Sequence, residues 1–492
     1  MCQTILLWGC FLGWTASAWA ADPVRAAIEL RSKFTADIDQ LTQWCESKGL
    51  KDEAQKTRRV LSPTAPDKLF VPILPTKVGP EPPRAGASSD VLEWDAKLNR
   101  LRHDYAAALY DIARRAVRSG RAGLAFDAAL AAGYADPDFE PVRRLFGYQK
   151  YRNQWHTAYE VQKLRAGNQY SPKFGWIPKS HLHRYEEGQR FEDGRWISAE
   201  QSAKRHDDIQ HGWTIETEHY VIRTDDGIEA AVRLGEKLEH LHRLWQQLFL
   251  RYFASEADVI ALFDGKARGP VVRRHQIVYF RDRNDYNQTM KATVPNVEKT
   301  LGAYIDRTHC AYFFPDQENH DRTLYHEATH QLFHESRPVS TRIGAHGNFW
   351  IIEGAALYME SLHREDGFFV LGGFEDERMH AAQYRLLVDH FYVPLAKFTA
   401  MNIQEFQSDP RVATLYSQAA GLANFLVHYD GGRYRDAMVA YLALVYSGQD
   451  ESDTLARLTG VSYTELDRQY RRFMESGVKK TEGRGAKGEP GP

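Results

Sequence analysis

Thr323-Leu-Tyr-His-Glu-Ala-Thr-His-Gln-Leu-Phe-His-Glu335 is the stretch around which the rest of the chain is read. Within it His326, Glu327 and His330 spell H-E-x-x-H. On an α-helix, residues four apart share a face and lie about 6 Å apart along the axis. Two imidazoles so placed can lean onto one metal ion. Glu327 then projects beside that ion, where it can take a proton from a water. The flanks favour a helix: Asn319 and Asp321 are available as N-caps, and Arg337-Pro338 supplies a stop. Leu324, Ala328 and Leu332 form an apolar stripe roughly 200° round from the histidines, at about 100° per residue. One side can therefore pack into a core while the other faces a cleft.

A catalytic zinc wants three protein ligands and one open position. Phe349-Trp-Ile-Ile-Glu-Gly-Ala-Ala-Leu-Tyr-Met-Glu360 reads as a second helix after a short loop, with Glu353, Ala356, Leu357 and Glu360 on one face. Glu353 would complete a His2Glu set. His334 shares the face of His326 and His330 but lies about 12 Å from His326 along the axis. Three ligands on one straight helix cannot converge on a tetrahedral ion, so His334 is expected to line the cleft or brace a ligand. His346, in the loop between the helices, is a further candidate third ligand. The longer form H-E-x-x-H-x-x-G-x-x-H is absent, because Phe333 and Ser336 hold its glycine and last histidine positions.

His326-Glu327-x-x-His330 followed by Trp350-x-x-Glu353-Gly-x-Ala356-x-Tyr358-x-Glu360 resembles the gluzincin zinc metallopeptidases. More narrowly, it resembles the peptidase MA-like domains of secreted bacterial proteins. The resemblance covers roughly residues 212–475. It implies Zn2+ held by His326, His330 and Glu353, with Glu327 as general base and a peptide or protein substrate. Gluzincins often place a tyrosine or histidine across the cleft to meet the developing oxyanion, and Tyr416 resembles that residue by position. A tyrosine simply packed at a helix start is the other reading. Leu357 stands where some relatives carry an aspartate that orients a histidine ligand. Glu360 is the candidate to take over that role.

Composition excludes little. The 492 residues carry a formal net charge of −2, which gives no electrostatic case for nucleic acid or an anionic membrane. Residues 1–20 read as a secretory signal, with an apolar run from Ile5 to Trp14 and Ala18-Trp19-Ala20 before Ala21. No later segment approaches the ~20 apolar residues of a spanning helix. A secreted or periplasmic protein, without stable membrane insertion after signal cleavage, is the expectation. Cys45 and Cys310 are not a disulfide scaffold; they are expected as buried apolar groups, with pairing of the two as the alternative.

The remaining chain divides at its breakers. Residues 21–145 read as helical, with helices over 24–48 and 90–117 and a pair broken at Gly133 to Pro137. Such helices offer a docking face for a protein partner. The proline-rich passage 61–83 reads as a linker or a strapped extended segment. Over 146–211 a glycine precedes a tryptophan by eight positions twice, Gly147 with Trp155 and Gly188 with Trp196. Small β-units packing a tryptophan inward are expected there. His181 and His183 are expected on one strand face. A strand over 213–224, a helix over 227–253 and a strand over 275–280 follow. Segments 302–305 and 309–314 are expected to pair as a hairpin at the sheet edge, where an extended peptide could add by backbone pairing. Residues 476–492 are expected to be disordered.

The expected fold class is α+β: a gluzincin-type metallopeptidase domain, preceded by an α-helical region and small Trp/Gly β-units. The expected function is a zinc-dependent hydrolase of amide bonds. Two alternatives stand beside it: a non-catalytic, metal-stabilised envelope scaffold, and a zinc amidase acting on cell-wall material.

Overall fold

A strand from the N-terminal half of the chain enters the sheet that follows the second motif helix. The computed structural model describes residues 22–78, 87–266, 273–294, 297–315 and 321–485. The expected signal at 1–20, Asn319, and Pro80, Pro82 and Pro83 lie outside them. Of the proline-rich passage, β1 (Lys68–Pro72) pairs antiparallel with residues 368–372, in register from Lys68↔Gly372 to Pro72↔Phe368. It is therefore a strap rather than a free linker. Pro72 is tolerated because β1 is an edge strand, with no neighbour on its outer side among the described residues.

The N-terminal helices follow the expected periodicity at Pro23–Ser47, Ser89–Arg118, Ala122–Ala135 and Glu140–Leu145. Cys45 is buried in their core, and Cys310 is buried in the later sheet; both are free thiols. These helices are fastened to the C-terminal half. Arg435 Nη1 donates to both carboxylate oxygens of Asp127 at 2.8 Å, and Gly123 N donates to Asp436 Oδ1 at 2.9 Å. Val71 and Leu130 belong to the same apolar core as the motif helices.

Three hairpins follow, each leading into a short helix. They are β2 (Tyr148–Tyr151) with β3 (Gln154–Thr157), β4 (Asn168–Ser171) with β5 (Gly175–Pro178), and β6 (Gln189–Glu192) with β7 (Arg195–Ser198). The sequence echo showed two units because the middle one is a residue longer, with Gly167 nine positions before Trp176. Only Trp155 packs fully inward; Trp176 and Trp196 are half-buried. His181 and His183 fall on helical turns, not on a strand face, since the chain is already leaving the hairpin there.

The central sheet has the order β11-β12-β10-β9-β8. Its strands are β8 (Trp213–Glu216), β9 (Tyr220–Thr224), β10 (His275–Tyr279), β11 (Gly302–Ile305) and β12 (Cys310–Phe313). The single strand expected over 213–224 is a hairpin, turned where Thr217 N donates to Tyr220 O at 2.9 Å. The expected 227–253 helix runs as Ile228–Leu248 and a separate turn at Leu250–Phe253. β9, β10 and β12 are parallel, and both end strands, β11 and β8, run antiparallel to their neighbours. The sheet and its helices make a mixed α+β fold with small sheets. A second sheet sets β13 (His363–Glu365) and β14 (Phe368–Gly372) beside β1. The last helix runs from Tyr463 to Gly485, so the tail expected to be disordered from 476 is helical that far.

The join between β1 and β14 carries a buried histidine. His428 Nε2 lies 3.1 Å from Tyr358 Oη, and His428 is 4% exposed. Burial, helped by the charge of Arg435, pushes its pKa down to about 3. The unfolded chain binds this proton near pH 6.5 and the folded chain near 3. Stability is therefore full above about pH 6.5 and falls as pH drops through that window, by an amount of order a few kcal/mol. His428→Gln is expected to flatten the loss of stability between pH 6.5 and 4 in urea titrations. Equal slopes for the two proteins would remove His428 as the cause.

Candidate metal centre

The motif helix, Arg322–Glu335, lies under β11 and against the central sheet. Leu324, Ala328 and Leu332 are 5%, 0% and 1% exposed, so the apolar stripe is the core face. Asp321 precedes the helix but makes no side-chain cap; its carboxylate accepts instead from Lys237 Nζ at 2.5 Å. The second motif helix, Phe349–Met359, is buried on every side. Burial on all faces explains its run of apolar residues and the small Gly354, where an added Cβ would stand 3.0 Å from Ala419 O.

These two helices bring three ligand atoms together. His326 Nε2 and His330 Nε2 are 3.1 Å apart, and Glu353 Oε2 lies 3.4 Å from the first and 3.9 Å from the second. Three atoms with those separations lie on a circle of radius about 2.0 Å, and zinc bonds to imidazole nitrogen or carboxylate oxygen run about 2.0–2.2 Å. The triangle thus has the size one zinc ion spans. Two imidazole nitrogens facing each other at this distance need a proton or a cation between them. The rings stand at 76° to each other rather than stacked.

Each group is tuned by its surroundings. His326 Nδ1–H donates to Glu360 Oε1 at 2.9 Å, which leaves Nε2 directed at the cluster. Burial works against charge on His326, but hydrogen bonds to Glu353 and Glu360 outweigh it and push the pKa up to about 10. Burial takes His330 down to about 4. Burial also opposes ionisation of Glu353, yet His326 and His330 hold its carboxyl below the ordinary value. Glu327 is raised by burial, against the pull of His326 and of the Tyr304 N–H. That N–H, on edge strand β11, donates to Glu327 Oε2 at 3.1 Å.

Tyr416 sits in the second turn of the helix Val412–Gly432 rather than at its opening. Burial raises its phenol, and the negative charges of Glu353 and Glu327 raise it further. His334 lies outside the ligand triangle, its ring 5.4 Å from those of Tyr304 and Tyr446. His346 is exposed in its loop and does not join the group.

A second group, His219, Glu239 and His242, also brings its ligand atoms within 4.8 Å of one another. It fits a metal poorly. The two rings lie stacked, 3.8 Å apart with 22° between their planes, so their lone pairs run side by side. Glu239 is already engaged by the backbone and ring nitrogens of His219, both at 2.7 Å.

Three features escaped the sequence. Arg378 and Arg322 flank Glu360, and the Tyr304 N–H reaches Glu327. A backbone donor has no residue signature, and Arg378 arrives 18 residues after Glu360, beyond any helical spacing. Compared with known proteins, the chain matches no family model, no curated sequence and no solved structure.

Proposed function

We propose that the chain is a zinc-dependent hydrolase of the gluzincin kind, acting on peptide-like amide bonds. The carrying observation is the triangle of His326, His330 and Glu353 with Glu327 beside it. When bound there, zinc would supply Lewis acidity, polarising a carbonyl and making a water acidic enough to lose a proton near neutral pH.

The rest is done by the chain's own groups. Glu327 takes the proton from the attacking water and passes it to the leaving amine. The Tyr304 N–H holds the carboxylate in place meanwhile. Tyr416 offers its hydroxyl proton to the oxyanion. Glu360 fixes the tautomer and aim of His326. Among the described residues β11 is an edge strand beside Glu327, where an extended substrate can pair by its backbone with the groups Glu327 does not use. With residues 1–20 as an export signal, the working site would be outside the cytoplasm. Among the described residues no helix is long and apolar enough to cross a membrane.

The test is metal content together with turnover. The purified protein is expected to hold about one zinc per chain and to cleave members of a peptide library only while zinc is present. His330→Ala is expected to lose both. A wild-type protein that binds no stoichiometric zinc sinks the proposal. Cleavage of cell-wall fragments but not of peptides would move it to the amidase alternative.

A further inference from the structure

Glu360 is held from a helix outside both motif helices. Its side chain is 3% exposed and meets three partners. His326 Nδ1–H donates to Oε1. Arg378, in the first turn of the helix Glu377–Leu387, donates through Nε to Oε2 at 2.8 Å and through Nη2 to Oε1 at 3.2 Å. Arg322 Nε stands 3.7 Å from Oε2.

The arginines are themselves anchored. Arg322 Nη2 donates to Asp376 Oδ2 at 2.5 Å, and the other oxygen of Asp376 accepts from Arg378 N at 2.9 Å. One aspartate thus ties the arginine that opens the motif helix to the N-terminus of the helix carrying Arg378. A carboxylate held by a single hydrogen bond can swing about its last torsion. A guanidinium fork on both of its oxygens fixes its plane.

We infer that Arg378 is a positioning residue for the metal centre: its fork holds Glu360 in the one orientation that aims His326 Nε2 at His330 and Glu353. This rests on the zinc reading above. Arg378 touches neither ligand atoms nor substrate in this role; it acts through Glu360. The helix Glu377–Leu387 thereby becomes part of the site, although nothing in the H-E-x-x-H pattern points to it.

The experiment measures zinc affinity by competition with a chromophoric chelator, on the full chain. The proteins are wild type, Arg378→Gln, Glu360→Gln and the double variant, with Arg378→Lys and His330→Ala as references. Loss of such an outer hydrogen bond typically weakens metal binding about 10–100-fold. Arg378→Gln and Glu360→Gln are each expected to fall in that range. The double variant is expected to bind no more weakly than Glu360→Gln alone, because the two changes break one chain of contacts. Arg378→Lys should recover part of the affinity, keeping the charge but not the fork. A merely structural arginine would lower the unfolding midpoint of the metal-free protein and leave zinc affinity untouched. Wild-type affinity in Arg378→Gln, or additive losses in the double variant, overturns the inference while the zinc reading stands. Zinc retained by His330→Ala marks the opposite failure, that of the zinc reading itself, and takes the inference with it.

Discussion

Glu327→Gln is expected to keep zinc at wild-type stoichiometry and to lose turnover by about 10²–10⁴-fold, or roughly 3–5 kcal/mol of barrier. The ligand triangle does not include Glu327, so the change leaves the three metal contacts alone. Glutamine has the same shape and can still accept from the Tyr304 N–H, so β11 should stay where it is. What it lacks is the ability to take and return a proton. The loss should therefore appear in kcat, with KM little changed. Zinc content measured on the same sample separates this from metal loss. Turnover of Glu327→Gln at the wild-type rate would mean that the base lies elsewhere. Tyr416→Phe is the companion variant, expected to be milder because it removes one hydrogen bond to the oxyanion and no proton carrier.

The sequence made the motif helices legible because spacing alone dictates what a helix face presents. His326, His330 and the stripe Leu324, Ala328 and Leu332 needed no tertiary knowledge, and both faces point where periodicity put them. Glu353 was legible for a second reason: two histidines leave a catalytic zinc one ligand short, and the next helix offers a carboxylate. The β11–β12 hairpin was legible from its turn. Contacts closed across long separations were not. β1 pairs with β14 across about 300 residues, and neither strand alone shows which edge it seeks. Arg378 reads as an ordinary first-turn residue of an amphipathic helix, and only the fold reveals that its head reaches Glu360. The hairpin at 213–224 was hidden because Thr217-Glu-His219 carries neither glycine nor proline, so composition gave no turn signal.

Gly372→Ala is expected to be the most destabilising single change at the strap, by about 3–5 kcal/mol, from backbone strain and overpacking together. Gly372 has φ +81°, which a side chain adopts only with strain. A Cβ there would also stand 2.3 Å from His428 Nε2 and 2.6 Å from the Asp67 carbonyl oxygen. The histidine ring is buried and held against Tyr358, and the carbonyl belongs to the chain entering β1, so neither can step aside cheaply. Gly367 provides the control. Its φ is +84°, but nothing lies within 4 Å of a Cβ placed there. Gly367→Ala should show the strain alone, about 1–3 kcal/mol. The excess at Gly372 then measures how firmly the N-terminal strap is seated. That seating reaches the metal centre through two bonds: Gly372 N donates to Ser361 Oγ at 2.8 Å, and Ser361 directly follows Glu360. Ser361 Oγ in turn donates to Tyr358 O at 2.6 Å, within the helix that carries Glu353. Gly372→Ala should thus weaken zinc binding as well as folding, whereas Gly367→Ala should affect folding only. Urea unfolding with and without chelator reads both quantities. Equal losses at the two glycines would mean that β1 yields at this join, leaving the N-terminal helices as a loosely held neighbour of the site.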